Sequence, residues 1–403
     1  MPLRVLFLTH RLPYAPNRGD RLRAYHLLRT LAAEGAQTDV ISLVHDDEEA
    51  AQVGAMESFT ASVQIARVPR INNLARGLIR LPTRRPLTHS LLDSPEVAPA
   101  IARVMAKTPP DVVLAFCSGM VRFAMEPPLL HIPCVLDMVD ADSAKWSSLA
   151  ASSRFPKRLI YAREARTLSR FEVEAMRHAK ATLIVNERER QMLQALDATA
   201  HIHVMENGVD LGTFQPQAPP AASQTVVFCG VMNYTPNEEG ALWIAREVWP
   251  LVKRQQPSAS LMLVGASPTA SVRALALADS SITVTGTVPD VRPFLWSAAV
   301  AAAPLQTARG VQNKVLEALA AGIPVVATPQ VAEGLPAGTH VAVSVAGDPR
   351  AFAGSLLQLL EMPPETRRGL AFAANLRELS WQERLKNLVP LLEEVSRARV
   401  TVH

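Results

Sequence analysis

The segment Thr307–Thr328, TARGVQNKVLEALAAGIPVVAT, allows few folds. It reads as turn, helix, tight turn and strand. Gly310 precedes a helical run, Gly322 follows it, and Pro324 comes two residues later. That is stop punctuation for a helix. Ile323–Ala327, IPVVA, is then a short, wholly apolar strand of the kind buried inside a parallel sheet. Val315, Leu316 and Leu319 supply a core face for the helix, whereas Lys314 and Glu317, three apart, share a second face.

Two readings of that second face are open. A helix N-terminus offers unpaired backbone N–H groups and a partial positive charge, which suit a diphosphate. Glu317 lies seven residues beyond Gly310, about 10 Å along a helix axis, and helical side chains lean back toward the N-terminus. That gap fits the distance from a diphosphate to the hydroxyls of its ribose, and a carboxylate accepts both hydroxyl protons. The plainer reading is a surface Lys–Glu pair on an amphipathic helix.

A chain of 403 residues predicts two or three domains, and 48% apolar against 19% charged residues describes a globular protein. No apolar run is long enough to cross a bilayer. The start, MPLRVLFLTH, has no small-residue cleavage site and reads as a buried strand. Cys117, Cys134 and Cys229 are isolated, with neither zinc spacing nor a disulfide framework, which predicts a reducing cytoplasm. The net charge of +4 is uneven. No acidic residue interrupts Ser58–Leu92, which holds Arg67, Arg70, Arg76, Arg80, Arg84 and Arg85; a second cluster is Arg154, Lys157, Arg158, Arg163 and Arg166. Without a helix-turn-helix, zinc finger or RNP-type motif, nucleic acid is not the expected partner. An anionic membrane surface met through Arg67–Arg85, on the inner face of the cytoplasmic membrane, or an anionic lipid-linked acceptor is.

Along the chain, strands are predicted at Leu3–Leu8, Val40–Val44, Val63–Ala66, Val112–Phe116, Cys134–Asp137 and Ala181–Val185. Helices are predicted from Asp20, as N-cap, to Glu34, closed by Gly35, and from Pro156 to His178, with another starting at Asn186. This opening is Rossmann-like but lacks the G-x-G-x-x-G of dinucleotide binders: PNRGDR carries one glycine, Gly19. Asp137, Asp140 and Asp142 cluster at one strand end, and Asp140-Ala141-Asp142 spells a metal-binding D-x-D. That motif belongs with a nucleotide site near the N-terminal half, so no metal is expected here. QPQAPPAAS, Gln215–Ser223, reads as a linker. The alternation then restarts: strands at Thr225–Gly230, Ser260–Gly265, Ile282–Thr285, Ala299–Ala303 and Val341–Val345, with a helix at Asn237–Gln256.

Glu317 with the tail Gly322–Thr328 resembles the C-terminal signature of family 4 of the retaining, nucleotide-sugar-dependent glycosyltransferases, which have the GT-B fold. The first Glu of that signature is absent; Arg309 holds its position. ARGVQNKVLEALA is most similar to bacterial sugar transferases of exopolysaccharide and exosortase (PEP-CTERM) loci. MENGVDLGTF (Met205–Phe214), FCGVMNYTPN, LMLVGA and ITVTGTVPDVRPFLWSA resemble further family elements, so the likeness covers nearly the whole chain. It implies an α/β GT-B fold of two Rossmann-like doubly wound domains facing across a cleft: residues 1–215 on the acceptor side, with a helix at about 380–403 packing back through Trp381 and Leu385, and residues 216–379 binding the nucleotide sugar.

The resemblance also implies site residues. Gly230, Asn233, Gly286, Thr287, Val288, Gly310, Val311, Gln312 and Glu317 would bind the donor, with the base met by Gly286–Val288. Arg18 and Gly19 would shape the sugar and acceptor loop. Arg309, Lys314, Asp140 and Asp20 would carry the chemistry; Asp140 stands where many relatives place a histidine. Relatives keep an Arg and a Lys after the first strand of the second domain, but GVMNYTPNEEG has no basic residue, so that role is expected of Arg309 and Lys314; the rival readings pair Arg309 with an acidic group on the sugar or with Glu238 or Glu239. The implied function is transfer from a nucleotide sugar, UDP-linked first, to a glycan or lipid-linked acceptor, with no cofactor or metal. A GT-B sugar-nucleotide epimerase and a non-catalytic partner subunit are the alternatives. The missing glycine fingerprint disfavours a dinucleotide-dependent oxidoreductase.

Overall fold

A computed structural model describes residues 2–15, 19–216, 218, 222–308 and 311–397. The chain divides into two compact units, residues 1–208 with 384–403, and residues 209–383. Each is an α/β unit on one parallel sheet. The first sheet comprises β1 (Arg4–Thr9), β2 (Gln37–Val44), β3 (Ser62–Arg67), β4 (Val112–Phe116), β5 (Cys134–Val139), β6 (Ala181–Ile184) and β7 (Ile202–Val204), in the order β3-β2-β1-β4-β5-β6-β7. The second comprises β8 (Thr225–Cys229), β9 (Ser260–Val264), β10 (Ile282–Val284), β11 (Val300–Ala303), β12 (Val325–Ala327) and β13 (Val343–Val345), in the order β10-β9-β8-β11-β12-β13. Every registered pair is parallel. The expected pair of doubly wound sheets is therefore present. The order reverses at β1/β4 and again at β8/β11, and such reversals open a crevice beyond the carboxyl ends of the strands.

The central strands read as unbroken apolar runs because helices cover both faces. VVLAF of β4 is buried throughout, and its bounds are those read from sequence. Two helix ends follow from glycine. Gly35 (φ +78°) closes the helix Gly19–Ala33, its N–H donating to Ala32 and the Ala36 N–H to Leu31. Gly322 (φ +76°) closes Asn313–Ala320 in the same way, onto Leu319 and Ala318. Both are Schellman motifs, which place their glycine in left-handed conformation.

Several expectations need correction. The first helix begins at Gly19, so Asp20 lies in its first turn and is not its cap. The helix read as Asn237–Gln256 is three pieces: Thr235–Trp243, a π turn at Ile244–Val248, and Trp249–Gln255. Pro250 removes an N–H and crowds the carbonyl one turn back, and the wider π turn makes room for it. The edge strand β7 went unread because it is three residues long and half exposed. In the last part of the chain, Trp381 belongs to the second unit, while the helix Leu388–Arg397 packs on Gly19–Ala33 and on β4 and β5 of the first.

The backbones after β8 and β9 touch. A Cβ on Gly265, which has φ +143°, would lie 1.9 Å from the Gly230 carbonyl oxygen. Gly265→Ala therefore adds both overpacking and backbone strain, each about 1–3 kcal/mol. The expected outcome is a loss of at least about 2 kcal/mol in urea unfolding. An unchanged midpoint would show that the two loops separate freely.

Candidate functional site

In the second unit, the β8/β11 crevice is bounded by the turn after β8, the segment after β11 and the first turn of Asn313–Ala320. That helix starts two residues later than Gly310 had implied, because Gln312 is still extended (ψ 98°). Glu317 thus lies about 6 Å down the axis from Asn313 at 1.5 Å per residue, not 10 Å from the helix start. Arg309 and Gly310 fall outside the described residues, as does Arg18.

Lys314 and Glu317 do share a face, but it is no solvated surface. Lys314 Nζ donates to Asn237 Oδ1 at 2.6 Å and sits 4.9 Å from the centre of the Phe228 ring. Asn237 is buried, and its Nδ2 donates to the Val231 carbonyl at 2.9 Å. Asn237 fits there because position 230 has no side chain: a Cβ on Gly230 would stand 2.8 Å from Asn237 Nδ2. Burial lowers the Lys314 ammonium to a pKa of about 8 and raises the Glu317 carboxyl to about 7. Among the described residues the Glu317 carboxyl makes no hydrogen bond, and no ion pair within 4 Å joins it to Lys314. The Glu317 side chain is half-buried, and its carboxyl stays open to donors from outside the protein. Cys229, beside both, is raised to about 12 by burial and by the Glu317 charge, so its thiol is inert.

Other expected donor residues lie at the same end of the sheet. Gly230 and exposed Asn233 follow β8. Gly286 (φ +71°), Thr287 and Val288 follow β10, where the Thr285 hydroxyl accepts from the Gly265 N–H at 3.3 Å. Exposed Val311 and half-buried Gln312 precede the Lys314 helix. Asn237, Phe228 and Gly265 were missed from sequence. Glu238 accepts a hydrogen bond from the Thr269 hydroxyl at 2.7 Å and so supports the cap of the helix Ala270–Ala278.

In the first unit, the two carboxylates of the D-x-D share the ammonium of Lys145. Asp140 pairs with Lys145 Nζ at 2.6 Å, while Asp142 accepts from the Ser118 hydroxyl at 2.8 Å and lies 3.7 Å from the same ammonium. Among the described residues no three His, Cys, Asp or Glu side chains gather as metal ligands. Asp137 is wholly buried and binds Arg23 Nε at 2.8 Å; Arg23 Nη1 reaches Asn207 Oδ1 at 2.9 Å. This places Asn207 of the NGVD element in a structural network. Val139, just before Asp140, has φ +67°, a costly conformation for a β-branched residue, and β5 shifts register there against β6. Cys117, after β4, is also left-handed at φ +75°. At the β1/β4 reversal the His10 ring stacks on Phe116, with centroids 5.7 Å apart. Gly19 opens its helix, and the Asp20 side chain is outside what the structure describes.

Comparisons bear on both units. Residues 21–213 match a family model described as Glycosyltransferase Family 4, and residues 223–362 match one described as Glycosyl transferases group 1. No curated protein matches the chain by sequence. Among solved structures, sucrose-phosphate synthase from Thermosynechococcus elongatus is similar at a TM-score of 0.66 and 16% identity, covering 98% of this chain and 100% of that one. HepE from Anabaena, in complex with UDP and glucose, aligns at 0.61 and 15%, covering 97% and 100%. The UDP-forming α,α-trehalose-phosphate synthase from Burkholderia xenovorans, in complex with glucose-6-phosphate, aligns at 0.59 and 11%, covering 97% and 100%. At these identities the likeness establishes the fold.

The titration of Glu317 has a definite sign. A carboxyl held above its ordinary value of 4.5 contributes stability that is full below that value and lost as pH rises through about 7. Lys314, held below 10.5, acts in a separate window, losing its contribution as pH falls through about 8. Denaturant unfolding of the ligand-free protein at successive pH values should show a downward component between 4.5 and 7 that is absent in Glu317→Gln. Identical slopes in the two proteins would mean Glu317 titrates normally.

Proposed function

We propose that this chain, which belongs to the GT-B glycosyltransferases of group 1 and family 4, transfers a sugar from a UDP-sugar to a glycan or lipid-linked acceptor during exopolysaccharide or cell-envelope polysaccharide synthesis. The observation that carries the donor half is the unpartnered, half-buried Glu317 beside the held ammonium of Lys314. Ribose hydroxyls supply the donors that this carboxylate lacks. Lys314 supplies charge to the diphosphate, and Arg309 adds a planar fork that is always protonated. UDP is the first nucleotide to test because HepE was solved with UDP and the Burkholderia enzyme is UDP-forming.

The reaction in this reading breaks the bond between the anomeric carbon and the diphosphate, and the acceptor oxygen forms the new bond with retention of configuration. Negative charge gathers on the leaving diphosphate, and cations fixed beforehand stabilise it without reorganisation. The acceptor proton leaves with the departing phosphate. No metal enters this scheme, and Asp140, which pairs with Lys145 just past β5, is assigned to the acceptor or sugar side by its place at that strand end. The protein works in the cytoplasm in this reading, where nucleotide sugars are made.

Nucleotide release from a panel of UDP-, GDP- and dTDP-sugars, with and without lipid-linked acceptor, tests the proposal. Transfer predicts release that requires acceptor. An epimerase would interconvert the donor sugar without acceptor and without net nucleotide release, and a non-catalytic subunit would do neither. Glu317→Ala should weaken UDP binding by about 1.5–3 kcal/mol with the fold intact. Arg309→Ala should weaken UDP itself and lower turnover; unchanged UDP affinity with lost sugar discrimination would move Arg309 to the sugar.

A further inference from the structure

The helix Arg70–Arg80 is mounted with its apolar side outward. Asn73 is fully buried, and its Nδ2 donates to the carbonyls of Leu91 (3.1 Å) and Asp93 (2.7 Å). One turn later Gly77 is buried against Leu91. The inward stripe is thus an amide and a glycine. On the opposite side, at about 100° per residue, stand Ile71 and Ile79, with exposed Leu74 at the flank. Ile71 is 87% exposed and Ile79 76%. Core burial ordinarily sets the orientation of an amphipathic helix, and here it sets the reverse. Arg70 and Arg76 flank the apolar crest, both exposed.

A second exposed group joins it. Phe155 is 79% exposed and Leu159 61%, at the start of the helix Lys157–His178, among exposed Arg154, Lys157 and Arg158. One turn past Leu159, Arg163 donates to the carbonyls of Leu81 (2.9 Å), Thr83 (2.6 Å) and Arg85 (2.8 Å). Glu164 receives the N–H groups of Leu87 and Thr88, at 2.8 and 2.9 Å. These bonds fasten the strap after the first helix to the second, so both apolar groups and the arginines between them occupy one neighbourhood of the first unit. The basic group is narrower than the sequence implied, since Arg67 pairs with Asp47 at 2.6 Å. Among the described residues, Arg70, Arg76, Arg84, Arg85, Arg154 and Arg158 make no ion pair.

We infer that this surface docks on an anionic lipid bilayer, with Ile71, Leu74, Ile79, Phe155 and Leu159 entering the headgroup–acyl boundary and the unpaired arginines meeting the phosphates. Large exposed side chains bordered by one sign of charge fit an interface that is apolar within and anionic at its face. A protein partner of this chemistry would need acidic groups around an apolar groove. A second copy is disfavoured because it would bring like charges together. The surface owes nothing to the sugar chemistry, so its test stands apart from the assays above.

The experiment is co-sedimentation of the full chain with vesicles of phosphatidylcholine alone and with about one-third phosphatidylglycerol. The expected result is binding to the anionic vesicles only, weakening as salt rises. Arg84→Glu and Arg158→Glu should each reduce partitioning by about fivefold or more. Phe155→Ser and Ile79→Ser, both at exposed positions, should weaken it at every salt concentration. Absence of binding at low salt overturns the inference, as does equal binding to both vesicles. Insensitivity to the Phe155 and Arg158 substitutions overturns the joined surface. A salt-resistant dimer in sedimentation velocity, dissolved by Ile79→Ser, would assign the crest to self-association instead.

Discussion

The ammonium of Lys314 is drawn beneath the carboxyl end of a parallel sheet, where Asn237 Oδ1 at 2.6 Å and the face of Phe228 hold it. Desolvating a cation is costly, and its lowered pKa records that cost. The neighbouring architecture depends on meeting it. Asn237 needs position 230 free of a side chain, and Gly265 needs none because the Gly230 carbonyl lies against it. The Val231 carbonyl fixes the amide so that its oxygen, not its nitrogen, faces the lysine. Each element serves a charge held ready where the topology opens a crevice.

The two units answer the same design problem differently. In the second, the reversal at β8/β11 is equipped with a cation and an unpartnered carboxylate. In the first, the charges beyond β5 are already committed: Asp137 to Arg23, Asp140 to Lys145, Asp142 to Ser118. Its strain is in the backbone, at Val139 and Cys117, both left-handed at strand ends. A strained turn fixes the direction of the adjoining segment, here Asp140 and the helix Asp142–Ser152.

Fold class was legible because parallel strands buried on both faces leave apolar runs such as VVLAF and VVA, and because Gly35 and Gly322 end helices by a local rule. Glu317 was legible through its place in a motif-bearing helix. What sequence could not give was the inward turn of Lys314, since its partner Asn237 is seventy-seven positions away and lies in another helix. What the D-x-D carboxylates touch was hidden for a related reason: Lys145 and Ser118, not the spacing, decide it. The π turn before Pro250 and the outward crest of Arg70–Arg80 likewise depend on contacts that no periodicity records.

The central claim is that the Lys314–Glu317 face of the second unit receives a nucleoside diphosphate. Calorimetric titration of UDP into the native chain, Lys314→Met and Lys145→Met tests it most directly. Removing a charge-assisted contact of about 1.5–3 kcal/mol should weaken UDP at least about tenfold in Lys314→Met, while Lys145→Met, whose lysine belongs to the first unit, binds as the native chain does. Equal affinity for native and Lys314→Met, or a loss confined to Lys145→Met, would contradict the account.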